Sequence, residues 1–182
     1  MPAKRVVIKF FKLVDEAAIK SLLSTIDDRM KQGVREFVLL LSSPGGNVFV
    51  GLSAYNYMRG LPVEITTHNF GMVDSISLIL YCAGKKRLSV PQARFMLHPI
   101  QANLNAGAYE EKALEEQLKG LRIDTENIAK VIAETSGKKF EDITRAMHER
   151  TTLNPEEARK WGLVHEITSS LIDADCELVT IQ

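Results

Sequence analysis

Cysteine is almost absent from this chain: Cys82 and Cys176 are the two in 182 residues. They lack the paired spacing of a disulfide framework or a thiolate zinc centre, which points to a reducing compartment and to two buried fillers. An excess of one charge is lacking as well, since 23 Lys and Arg face 23 Asp and Glu. That balance calls for neither nucleic acid nor an acidic membrane surface. No apolar run approaches the roughly 20 residues that span a bilayer. Lys9 and Lys12 also interrupt the apolar patch behind Lys4 and Arg5, well short of a signal-peptide core. The expectation is a cytoplasmic protein with no membrane partner, no metal and no cofactor. Internal repeats, low-complexity tracts and linkers are missing too, so a single domain over residues 1–182 is expected. With 45% hydrophobic and 25% charged residues, that domain can bury a full core.

What is present starts with alternation of strand and helix patterns. Residues 6–11 read as a strand. Asp15 is placed to cap a helix whose apolar positions Ile19, Leu22, Leu23, Ile26 and Met30 recur at helical spacing, with Gly33 as its stop. Residues 37–41, Phe-Val-Leu-Leu-Leu, form the continuous apolar run of a strand covered on both faces. This is a β-α-β unit. Ser42-Ser43-Pro44-Gly45-Gly46-Asn47 follows at once, and a helix over residues 48–59 closes at Gly60. Two adjacent glycines after a central strand allow either a plain turn or a backbone whose N–H groups point outward to a ligand.

The stretch that carries most chemistry is residues 71–83. Ahead of it, residues 63–68 alternate and are β-branched like a strand. Behind it, an apolar run stops at Gly84, which suits the end of a buried helix. Ser75 is thus expected where a strand-to-turn passage gives way to the first turn of that helix, a place where free backbone N–H groups and the positive helix end can meet a developing oxyanion. The plainer role of an N-cap fits the same position. Residues 86–90 and 94–97 read as further strands around a Pro91-Gln92 turn, and the second ends at His98-Pro99. Sites in α/β sheets gather beyond strand ends, although a capped or surface histidine also fits there.

A loop over residues 103–107 leads into the longest helical segment, residues 108–136, with Leu114, Leu118, Leu121, Ile128 and Ile132 on one stripe. A helix this long in so small a domain is expected to project, for packing on a second subunit or as an internal crossover. Residues 140–148 read as a short helix. Asn154-Pro155-Glu156-Glu157 then has the cap, proline and acidic first turn of a helix start. Strands are expected over residues 163–167 and 176–181.

Taken together, these pieces resemble the proteolytic subunit of the Clp protease family, serine peptidases with the crotonase-like fold. The resemblance rests on Ser43-Pro44-Gly45-Gly46 with Gly51, on residues 71–80 around Ser75, and on Gly84-Lys85-Lys86-Arg87 with Pro91. It continues through Arg94-Phe95-Met96-Leu97-His98-Pro99, Glu157-Ala158 and Gly162-Leu163-Val164. These run in family order over about residues 37–167. The implied fold is an α/β, crotonase-like superhelix of β-β-α units with the long helix projecting for oligomerisation. The implied site has Ser75 as nucleophile, His98 as general base, and the Gly46 and Ile76 N–H groups as oxyanion hole. The implied partners are peptides or unfolded proteins as substrate and further copies of the chain in a ring or stacked rings.

Three departures accompany the resemblance. Arg150 occupies the position of the family's orienting aspartate, and arginine has only donors. Glu149, one residue away, is the tentative third member. Asp142, Thr151, Thr152, Asn154, a backbone carbonyl or a water are the other options. Asp74 stands where the family has a small residue, and it can cap the helix, position His98 or repel an acidic substrate. Only 42 residues precede Ser43, fewer than in Clp subunits, so an ATP-driven unfoldase partner stays open. Two other functions compete with the peptidase: a non-catalytic assembly or binding subunit, suggested by Arg150, and an acyl-CoA enzyme of the crotonase type, which uses the same oxyanion geometry on a thioester.

Overall fold

The computed structural model describes residues 5–102, 104, 106–172 and 176–181. Asn103 and Asn105 of the expected loop, Lys4 of the basic N-terminal stretch, and the remaining positions lie outside the described residues. In chain order the elements are β1 (Arg5–Phe11), α1 (Glu16–Lys31), β2 (Glu36–Ser43), α2 (Val48–Gly60), β3 (Glu64–Asp74), α3 (Ser77–Cys82) and β4 (Lys86–Ser89). They continue with β5 (Arg94–Met96), α4 (Glu111–Ser136), α5 (Phe140–His148), β6 (Thr152–Leu153), α6 (Pro155–Lys160), β7 (Glu166–Ile167) and β8 (Glu177–Thr180).

All eight strands join one sheet, with β6-β5-β3-β2-β1-β8 as its main path and β4 and β7 branching from β3. Every pairing is parallel except β5 with β6. The branch arises because β3 changes partner along its length: Thr66 to Asn69 pair with β4, and Met72 to Asp74 pair with β5. Polar side chains hold the changeover. The Asn69 carboxamide accepts from the Gly71 N–H and donates to the Arg94 carbonyl, and the Ser42 hydroxyl accepts from the Met72 N–H. A Cβ on Gly71 would lie 2.7 Å from the Ser42 hydroxyl, which would have to turn away from the position that binds the Met72 N–H.

Alternation sorts the strands into two faces. Val6, Ile8 and Phe10 of β1 and Phe37, Leu39 and Leu41 of β2 enter the main core beneath the helices. The opposite face carries the buried Val7, Leu40 and His68, while Val38 is only half-buried, so β2 is covered on both faces except at that position. The Asp15 cap forms as expected, its carboxylate accepting from the Ala18 N–H. Ile19, Leu22 and Ile26 are buried below it, each worth about 1.5–3 kcal/mol of transfer free energy.

Helix α4 begins at Glu111, three residues later than expected. Its first ten residues are all exposed, and only Ile128, Ala129 and Ile132 near its end are buried. The stripe expected to be continuous therefore divides, with Leu114 and Leu118 facing outward. Three other expectations need correction. Residues 163–165 are not strand, because the Leu163 and Val164 N–H groups both bond the Ala158 carbonyl and the chain is still turning out of α6. Cys176 is half-buried, whereas Cys82 is buried and its thiol is pushed up to about 11 by desolvation. The third correction concerns Ser75 and follows below. Among the described residues no helix is long and apolar enough to cross a membrane.

Arg87 ties the helix ends to the sheet. Its buried guanidinium donates to the carbonyls of Leu163 (2.7 Å), Gly84 (3.2 Å), Thr135 (3.1 Å) and Gly162 (3.1 Å). These carbonyls lie after α3, in α4 and after α6, so one side chain satisfies acceptors from three separate segments. Arg87→Ala is expected to lower unfolding free energy by about 3 kcal/mol or more, because the orphaned carbonyls stay buried. Urea denaturation followed by circular dichroism measures this loss.

Candidate active site

The strand β3 stays extended as far as Asp74, held by Ser43↔Val73 on one side and by Asp74↔Met96 on the other. The turn must then be made in one residue. Ser75 makes it at φ 60, with its N–H bonded to the Met96 carbonyl at 2.9 Å and its own carbonyl accepting from Leu78. Ser75 thus lies at the passage from strand to helix, as expected, and it is the alternative role of an N-cap that this geometry corrects. The N-cap of α3 is Ile76, without a side-chain bond, and it is Ser77 whose hydroxyl donates to the Asp74 and Ser43 carbonyls. The Ser75 hydroxyl takes no intramolecular partner among the described residues and is half-buried.

Gly45 and Gly46 approach from β2. A Cβ on Gly45 would lie 2.7 Å from the Ser75 Cβ, and both glycines have positive φ, 98° and 152°. The pair is clamped by Val14: the Val14 N–H donates to the Gly45 carbonyl, and the Asn47 N–H donates to the Val14 carbonyl. The Gly46 N–H itself is left unspent, as is that of Ile76, among the described residues. Val14 was not singled out in the sequence. Its only local signal is an apolar residue just before the Asp15 cap, the position of a hydrophobic staple.

A cavity of about 280 Å³ opens beside these groups. Gly46, Ser75, Ile76 and His98 line it, and Leu78, Ile100, Ile128, Ile132 and Met147 give it an apolar wall. The fold thus brings four of the five expected site residues to one cavity. Ser75 and His98 are not hydrogen-bonded to each other. His98 is instead turned so that Nδ1 lies 2.7 Å from the Pro99 carbonyl. A carbonyl only accepts, so this bond puts the proton on Nδ1 and the lone pair on Nε2.

Glu149, the fifth residue, is not brought there. It stands exposed as the C-cap of α5 and does not line the cavity. Arg150 follows at φ 57, with its N–H on the Met147 carbonyl and the Thr151 N–H on the Ala146 carbonyl. That pattern is a Schellman motif, in which a glycine is usual at the left-handed residue. Beyond the β5–β6 pairs the Leu97 N–H still bonds the Thr151 carbonyl, and Arg150, one residue earlier, has left the extended conformation and does not line the cavity.

Asp74 is buried to 2% exposure. It caps no helix. Its Oδ2 accepts from the Arg94 guanidinium at 2.6 Å, while its Oδ1 is buried without a partner among the described residues. Burial pushes the carboxyl up from its ordinary range, against the pull of Arg94 and, more weakly, of His98. The reach of Arg94 across from β5 was not anticipated in the sequence, nor was the Pro99 carbonyl as a specific partner.

A parallel sheet whose central strand ends in a serine elbow over a double-glycine turn defines a class of α/β domain, and residues 10–170 place it: they match the Clp protease family. The chain belongs to that family, and its fold is the crotonase-like Clp protease domain. It is 30% identical over 168 residues to the ATP-dependent Clp protease proteolytic subunit 2 of Corynebacterium efficiens, covering 91% of this chain and 83% of the relative. It is 32% identical over 137 residues to proteolytic subunit 3 of Streptomyces coelicolor, covering 74% and 62%. A 26% identity over 170 residues links it to the proteolytic subunit of Bdellovibrio bacteriovorus, covering 91% and 79%.

Two substitutions probe the local geometry. Gly45→Ala is expected to lower Tm by about 5 °C or more, since it adds both a clash at Ser75 and a left-handed alanine. Arg150→Gly is expected to raise Tm by about 2 °C by relieving the left-handed residue of the Schellman motif. Differential scanning calorimetry reads both.

Proposed function

We propose that this chain is a Clp-type serine peptidase acting on peptides or unfolded proteins. The observation that carries the reading is the bond from His98 Nδ1 to the Pro99 carbonyl, since it leaves Nε2 as a base on the wall of the cavity that Ser75 also lines. In this mechanism Ser75 Oγ attacks the scissile carbonyl as Nε2 takes its proton. The Gly46 and Ile76 N–H groups receive the oxyanion. Nε2 then gives the proton to the leaving amine, and a water hydrolyses the acyl-enzyme by the same path in reverse. The Pro99 carbonyl does the orienting that Glu149 was expected to do. The apolar wall of Leu78, Ile128, Ile132 and Met147 favours an apolar side chain next to the scissile bond.

A carbonyl dipole is weaker than a carboxylate, and serine proteases that lose the aspartate lose about 10⁴ in turnover. The enzyme is therefore slow. We also propose a homo-oligomer built through the exposed Leu114 and Leu118 of α4. The second reading, a non-catalytic assembly subunit, draws on Arg150 at the position where the resemblance implies an orienting aspartate.

Ser75→Ala and His98→Gln are expected to reduce peptide cleavage at least about a thousandfold and to abolish fluorophosphonate labelling, read by intact mass. Glu149→Gln leaves kcat/KM within about twofold. Absence of labelling in folded wild type at every concentration would favour the assembly subunit. A monomer by light scattering at micromolar concentration would remove the role given to α4.

A further inference from the structure

Proton transfer to His98 creates an imidazolium, and the Pro99 carbonyl orients that ring without supplying a net charge. Three charged side chains belong to the segments that meet beside His98. Arg150 follows α5, one residue before the Thr151 whose carbonyl takes the Leu97 N–H, Arg94 stands on β5, and Asp74 ends β3. The α4 and α5 residues that line the cavity, Ile128, Ile132 and Met147, are apolar. Two of the three charges are thus cations, which oppose an imidazolium.

Asp74 is the only fully buried carboxylate among the described residues. It precedes the elbow residue, pairs in register with Met96 two positions before His98, and is anchored through Oδ2 to Arg94. Its Oδ1 is left buried with no hydrogen-bond donor among the described residues, an arrangement that costs folding stability and that the Arg94 bond does not require. A buried carboxylate also acts over longer distance than a solvated one, because water screens it less.

We propose that Asp74 is a positioning residue whose buried carboxylate offsets the charge of the His98 imidazolium during acyl transfer, the task that Arg150 cannot perform. The Pro99 carbonyl fixes the tautomer and Asp74 supplies the charge, so one carboxylate's two duties are divided between two groups. Arg94 sets how much of that charge His98 feels. The catalytic part of this inference rests on the peptidase reading above; the coupling between Asp74 and His98 does not.

The test follows the His98 ring by NMR in full-length protein carrying ¹³C-labelled histidine, with the resonance assigned by its loss in His98→Gln. Removing a neighbouring negative charge disfavours the imidazolium, so Asp74→Asn moves the His98 midpoint to lower pH by about half a pH unit. Arg94→Gln moves it to higher pH. In peptide assays Asp74→Asn lowers kcat/KM about tenfold and shifts the acidic limb of the pH profile in the same direction as the NMR midpoint. Its Tm is unchanged or higher, because a buried charge with an orphan oxygen has been removed. A role confined to anchoring Arg94 would give a lower Tm and no movement of either midpoint, which overturns the proposal. Should Asp74→Asn not fold, Arg94→Gln decides alone, and an unmoved midpoint overturns the coupling. Opposed midpoint shifts in a protein that cleaves no peptide would sustain the coupling and overturn the peptidase reading instead.

Discussion

The double pairing of β3 is the constraint on which the rest of this structure depends. A strand paired on both sides cannot begin a helix gradually, so the backbone stays extended to Asp74 and reverses at a single residue. Ser75 takes a left-handed conformation there because Met96 and Leu78 hold its N–H and carbonyl. The same pairing sets β5 beside the elbow. His98, two residues beyond β5, and the Arg94 that reaches Asp74 from its start, are both consequences. Strain of this kind is tolerated where the surrounding hydrogen bonds over-determine the backbone.

Backbone clamps recur around the cavity. Val14 bonds on both sides of Gly46, whose own N–H has no bond among the described residues. Leu97, next to His98, donates to the Thr151 carbonyl and so fixes the turn that carries Arg150. Each clamp comes from a segment distant in sequence. The backbone around the cavity is therefore held from several sides, and its N–H groups keep their directions without help from a bound molecule.

Arg150 and Asp74 become intelligible in the same terms. Arg150 serves the backbone as the left-handed residue ending α5, a conformation that an arginine adopts at some cost. Asp74 is a buried carboxylate with one oxygen unsatisfied, next to the elbow. Both features spend stability, and natural proteins keep such costs chiefly near functional sites.

The sequence alone determined the β-α-β opening, the Asp15 and Asn154 caps, the glycine pair after β2 and the run of family residues from 43 to 164. These are readable because periodicity, capping and turn chemistry act over a few residues. It also indicated Gly46, Ser75, Ile76 and His98, and the fold brings all four to one cavity. Tertiary structure decided the rest. That β3 runs on to Asp74 follows from partners 20 to 30 residues away. The division of the α4 stripe into a buried end and an exposed start depends on where the core stops. The partner of His98 Nδ1 is a main-chain carbonyl, and every residue carries one, so no side-chain pattern could single out Pro99. The Asp74–Arg94 pair forms across two strands whose register is fixed only when the whole sheet assembles.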